Sequence, residues 1–307
     1  MRETGRLAGV EIRRLLARRL FRILILLCLL GIVAAGTITF FQSSKDTGAA
    51  VARARVEQRG AVEACMKGEF GRLPGEGKEG FDRRARCEKM VGQFGVEDQR
   101  FRLSTLTEVF LGTSVPVAIL AWLLAASFVG AEWHAGTMTT LLTWEPRRVR
   151  VLLTKAIAAA LVLFVTGIVL QVLLGLALTP AAVFRGSTSG LGGSWLEETA
   201  GVVVRGSLIA TLAGLMGLSV ASVGRNTAAA FGVGFGYFTI VENLVRGLRP
   251  QWARWMVGDN AGRFILAGEL TFPPIERTTL EAGALIALYA LVFLLIAVAF
   301  FNRRDLT

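Results

Sequence analysis

The chain has one histidine, His134, and three cysteines, Cys28, Cys65 and Cys87. A single imidazole excludes histidine-cluster metal chemistry, and the cysteines are not spaced as zinc ligands. No G-x-x-x-x-G-K-[ST] phosphate loop occurs. Gly232, Gly234 and Gly236 lie in an apolar run, where small residues serve close helix packing and not nucleotide binding. Glu108, Arg205 and Glu242 fall at the ends of such runs, so the mid-membrane carboxylate of a proton- or sodium-coupled carrier is missing. These absences predict a protein that is not an enzyme, holds no cofactor of its own and draws any energy for work from elsewhere.

The elements that must position the remaining polar residues are apolar blocks. Hydrophobic residues make up 53% of the 307 residues and gather into runs without a helical or strand period. A hydrocarbon core roughly 30 Å thick needs about 20 apolar residues in a helix. Five charge-free runs reach that length: Ile23 to Ser44, Val109 to Ala131, Ala156 to Phe184, Gly206 to Gly224 and Ala282 to Asn302. A sixth, Asn226 to Val241, is short but becomes long enough if it continues past Glu242 to Val245. The predicted fold class is an all-α integral membrane protein with six transmembrane helices, at 20–42, 108–131, 151–179, 201–223, 227–245 and 281–302.

Arginine and lysine set the orientation. With the N-terminus inside, the inner segments carry 14 basic residues and the outer connections 179–205 and 242–281 carry 7. The long segment 45–108 holds 13 more, but long loops translocate regardless of charge. Both termini are therefore expected in the cytoplasm. The net charge of +11 follows from this topology and from attraction to anionic membrane lipid, and no nucleic-acid partner is expected. Arginine outnumbers lysine 29 to 5, which fits a GC-rich bacterial genome and hence a bacterial cell membrane.

Outside the spans, residues 1–19 set Leu7, Val10, Leu15 and Leu16 among arginines, as in a helix lying in the headgroup plane; a disordered basic flank is the alternative. The run is too basic, and lacks the small-residue cleavage pattern, for a removed signal peptide. Residues 43–107 form a small, loop-rich extracellular insertion, with helices predicted at Ala49 to Met66 and Asp82 to Phe94 around a glycine-rich turn at Pro74. Cys65 and Cys87 fall where disulfides are permitted and are expected to pair, two free thiols being the alternative. Cys28, mid-span, reads as an inert apolar residue. Between 246 and 280, Trp252 and Trp255 interleave with charges, as in short helices at the outer interface or a plain loop.

The connection at 132–150 carries most information. Glu132 is followed by Gly136, Thr137, the pair Leu141 and Leu142, Pro146, Arg147 and Arg148, with Lys155 opening the third span. As a helix, Met138, Leu141 and Leu142 share one face, a stripe that needs a partner or packs on the protein's own spans or in lipid. Glu132 is a candidate to pair with Arg147 or Arg148.

This loop resembles that of the permease subunit of type-2 ABC exporters, which has a glutamate beyond the second span, then Gly-Thr, Leu-Leu, a proline, arginine and a lysine opening the third. The six spans, the basic interfacial helix and the amphipathic segment before the last span agree with that plan over nearly the whole chain. The insertion departs from it. The resemblance implies a single permease domain over 1–307 in which 132–150 is the coupling loop. Glu132, Gly136, Thr137, Met138, Leu141, Leu142, Pro146, Arg147 and Arg148 would then serve a separate ATP-binding cassette subunit, which holds ATP and Mg. It further implies a second permease copy or a sister permease, with an export pathway between the two. Trp122, Phe235 and Phe238 are offered as its lining, with core packing or lipid contact as the alternative. A membrane sensor or scaffold using 45–106, or an ATP-independent channel, is the rival reading.

Overall fold

In lipid a backbone must satisfy its own amide and carbonyl groups, so apolar blocks of this length become helices. The computed structural model describes residues 2–43, 47–69, 82–93, 100–189, 191–267 and 277–303. Its helices are α1 (Arg2–Ala17), α2 (Arg19–Gln42), α3 (Thr47–Met66), α4 (Arg83–Gln93), α5 (Leu106–His134) and α6 (Thr137–Trp144). They continue with α7 (Arg148–Pro180), α8 (Trp195–Gly224), α9 (Thr227–Phe235), α10 (Glu242–Leu248), α11 (Val257–Leu266) and α12 (Thr279–Arg303). Among the described residues there is no strand, only an isolated parallel bridge between Arg102 and Ser187.

Among the described residues six helical segments are long and apolar enough to cross a membrane, and the glycine-rich sixth run continues as Thr227–Leu248. Its middle, Gly236–Val241, widens to π-helix, which carries the chain past Glu242 without a break. The spans differ in what surrounds them. The apolar stretch of α8 is 67% buried, whereas that of α2 is 6% buried, so α8 sits within the helices and α2 offers its surface to something else.

The chain, expected to be one domain, divides into two compact units. The first comprises 1–32, 106–175 and 192–307. Its core gathers Leu124, Phe128, Val129, Leu152, Leu163 and Leu218 with side chains from α1 and α12. At one end of this unit α11 and the turn before it are tied down by polar contacts: Arg205 Nε donates to the Ile265 carbonyl at 3.1 Å, and the Tyr289 hydroxyl to that of Trp255 at 3.1 Å.

The second unit comprises 33–105 and 176–191. α3 and α4 form a hairpin whose Cys65 and Cys87 are joined as a disulfide, both buried beside Val62. The turn expected around Pro74 lies outside the described residues. The base of the unit is stitched by Ser43, whose Oγ donates to the Arg185 carbonyl at 3.0 Å and accepts from the Phe101 amide at 3.1 Å. The Arg185 guanidinium lies over the Phe40 ring at 4.7 Å.

Candidate functional site

The connecting helix α6 is set by its ends. Gly136 turns the chain at φ 67°, a left-handed conformation that a side chain disfavours. Thr137 Oγ1 then donates to the Glu132 carbonyl at 3.3 Å. At the far end the Glu145 amide donates to the Leu141 carbonyl at 3.0 Å, and Arg150 Nη1 reaches Glu145 Oε2 at 3.3 Å.

Behind α6 lies a buried ionic joint. α7 begins at Arg148, so Lys155 lies within the helix, and it is 0% exposed. Its Nζ lies 2.6 Å from Glu11 Oε2 on α1 and 2.8 Å from Glu132 Oε2 on α5. Arg18, in the break between α1 and α2, donates to Glu132 Oε1 at 3.2 Å and to the Ser127 carbonyl at 2.7 Å. Arg14 holds the other oxygen of Glu11 at 3.1 Å. The Phe128 ring faces both cations, with Lys155 Nζ at 4.7 Å and Arg18 Cζ at 5.2 Å from its centre. A buried charge without its partner costs several kcal/mol, so Lys155, Glu11 and Glu132 require one another. The joint thereby fastens α1, α5 and α7 at the place where α6 emerges.

Glu132 is accordingly held by Arg18 and Lys155, in place of the pairing with Arg147 or Arg148 considered from sequence. The apolar stripe is also not free. Met138 is 0% and Leu142 6% exposed, packed with Leu15, Phe128, Leu152 and Phe301, and Leu141 lies partly buried against the same cluster. Of the open alternatives, packing on the protein's own helices is the one realised, because α6 lies directly over the joint. What α6 leaves exposed is Thr137, Thr140, Thr143 and Trp144, the last 86% exposed, followed by Pro146 and Arg147; Arg148 is partly buried.

The other sequence candidates separate. Trp122 is half-buried, its Nε1 donating to the Ala230 carbonyl at 3.1 Å, and it packs edge-on to Phe238 at 6.5 Å. It is a packing residue between α5 and α9. Phe238 is 42% exposed and Phe235 69%, so both keep an open face.

Sequence reasoning missed Glu11. The signal was there: Leu7, Glu11 and Leu15 recur every four residues on one face of a basic helix, and an acid between two leucines marks a buried face. It also undervalued Glu242, which is 2% exposed. This carboxylate accepts from the Gly258 amide at 2.9 Å and from Arg246 Nη2 at 3.0 Å, capping the start of α11, while Arg246 Nε also holds Asp259 at 3.1 Å.

Among the described residues, six helices long and apolar enough to cross a membrane and the absence of any strand define the class: a helical protein built for multiple membrane crossings. Residues 97–307 match the family described as protein of unknown function DUF2705, and the chain belongs to that family. No curated protein matches it.

Proposed function

We propose that the chain is the permease subunit of an ATP-driven exporter, working as a pair of membrane domains with separate ATP-binding cassette subunits that hold ATP and Mg. The observation that carries this reading is α6, a short helix between two spans with an exposed tryptophan on one side and a buried ionic joint on the other. A push on its outer face cannot be absorbed locally, because Met138 and Leu142 seat it on α5 and α7. The push passes to Glu132 and Lys155, and through Glu11 to α1. The surface that meets the ATPase is then Thr140, Thr143, Trp144, Pro146 and Arg147. Met138, Leu141 and Leu142 keep a supporting role beneath it. Both termini and α6 lie in the cytoplasm of a bacterial cell in this scheme, and the disulfide hairpin outside. An apolar pathway between two such domains suits a hydrophobic or amphipathic solute.

Co-purification from native membranes in mild detergent tests it, with wild type and a Trp144→Asp/Arg147→Glu variant. The wild type is expected to bring down an ATPase with a phosphate loop, and the variant to lose it while eluting at an unchanged size. Wild type purifying without any ATPase would defeat the proposal.

A second reading rests on the separate compactness of 33–105 with 176–191. Its disulfide-tied hairpin could read a ligand for a membrane sensor. Deleting 47–93 abolishes function on that reading but leaves ATPase binding intact on the first.

A further inference from the structure

Inside the first unit, well away from the ionic joint, three spans bring polar side chains together. Gln171 on α7 is 1% exposed and Ser207 on α8 is 0% exposed. Neither Oε1 nor Nε2 of Gln171, nor Ser207 Oγ, has a hydrogen-bond partner among the described residues. Ser114 on α5 donates its hydroxyl to the Phe110 carbonyl at 2.7 Å and keeps its lone pairs. Glycines let these groups converge. A Cβ at Gly206 would run into Ser114 Oγ and come within 3.2 Å of Gln171 Nε2, and one at Gly167 would lie 2.9 Å from Ser207 Oγ. Gly167 and Gln171 are one turn apart on α7, and Gly206 and Ser207 are consecutive on α8, so the unmet atoms share one neighbourhood.

Chemistry narrows what belongs there. A carboxamide has two donors and an acceptor, and here both ends are unmet, so exchanging its oxygen and nitrogen changes nothing. A cation would satisfy Oε1 and repel the amide hydrogens. An anion would do the reverse. An apolar group would leave every atom stranded in a medium where stranded polar groups are costly. A ligand that both donates and accepts is required, and small enough for a site bounded by glycine backbone. Buried waters make about three hydrogen bonds to such groups. We infer that an ordered water occupies the meeting point of α5, α7 and α8, bridging the Gln171 carboxamide, Ser207 Oγ and a lone pair of Ser114. It is a polar staple through otherwise apolar helices, and it holds whether or not the chain is a permease.

A double-mutant cycle on the full chain in detergent tests this, with thermal unfolding read by tryptophan fluorescence for Gln171→Leu, Ser207→Ala and the pair. With a bridging water, each single change strands the remaining partner and lowers the midpoint by several degrees, and the double falls by much less than the sum. If the groups sit dry and unmet, each change removes a penalty, the midpoint rises, and the two rises add; that overturns the proposal. Direct bonding of Gln171 to Ser207 would also couple the two, so a structure that resolves ordered waters completes the test. Density between the side chains supports the bridge, and the carboxamide bonded directly to Ser207 Oγ with no density between them refutes it.

Discussion

Lys155 has no solvent to turn to, and its charge is tolerable only because Glu11 and Glu132 both lie within 2.8 Å of it. Lys155→Met removes the cation and leaves two carboxylates facing each other. The expected loss is about 3–5 kcal/mol, the usual cost of breaking a buried pair from one side. Adding Glu11→Gln to that variant should restore part of it, since Glu132 keeps Arg18 as its partner and no second buried carboxylate is left facing it. Thermal unfolding in detergent reads both results, and a wild-type midpoint for Lys155→Met alone would mean that the lysine is hydrated. This part of the site was only half legible in the sequence. Glu132 and Lys155 stood out by their places in the loop pattern, but nothing in a linear chain says that a glutamate 144 residues upstream completes the pair. Long-range ion pairs are set by how helices come together.

At the scale of elements, α6 divides cleanly into a seated face and an open one. Met138→Ala should cost about 2–5 kcal/mol, as other core truncations do, while Trp144→Ala should change stability by no more than about 0.5 kcal/mol. Equal effects would show that the helix does not lie as described. The amphipathic period of α6 was readable in advance, but not the partner of its apolar face. Periodicity says that a stripe will be covered, and only packing says by what. The spans were readable to within a few residues because length and hydropathy are local properties. The π-helical turn in Gly236–Val241 was not, since no local residue pattern marks it. In the second unit, Cys65→Ser with Cys87→Ser should destabilise the α3–α4 hairpin by about 3 kcal/mol, the scale for a loop of this size. Limited proteolysis should then cut within 47–93 while leaving the spans intact.

For the whole molecule, the contrast between a buried α8 and an open α2 has a consequence. In lipid, apolar exposure alone does not drive association, but the proposed permease function requires a second membrane domain. Crosslinking across α2, through a cysteine placed at Ile23 in a chain whose Cys28 is changed to Ser, should give a dimer in native membranes. A monomer under the same oxidant would argue for a single-domain sensor. Composition and hydropathy made the membrane architecture evident, whereas the division into two units was hidden, because its second part joins 33–105 to the distant segment 176–191.

The central claim is that the exposed face of α6 meets an ATP-hydrolysing subunit. A photoreactive phenylalanine analogue in place of Trp144, activated in intact cells, asks this at the residue concerned. A crosslinked product containing an ATPase with a phosphate loop, lost when the label is moved to an exposed apolar position on another helix such as Leu295, is the predicted result. Crosslinks to lipid alone, or to a protein with no ATP-binding motif, would contradict the account.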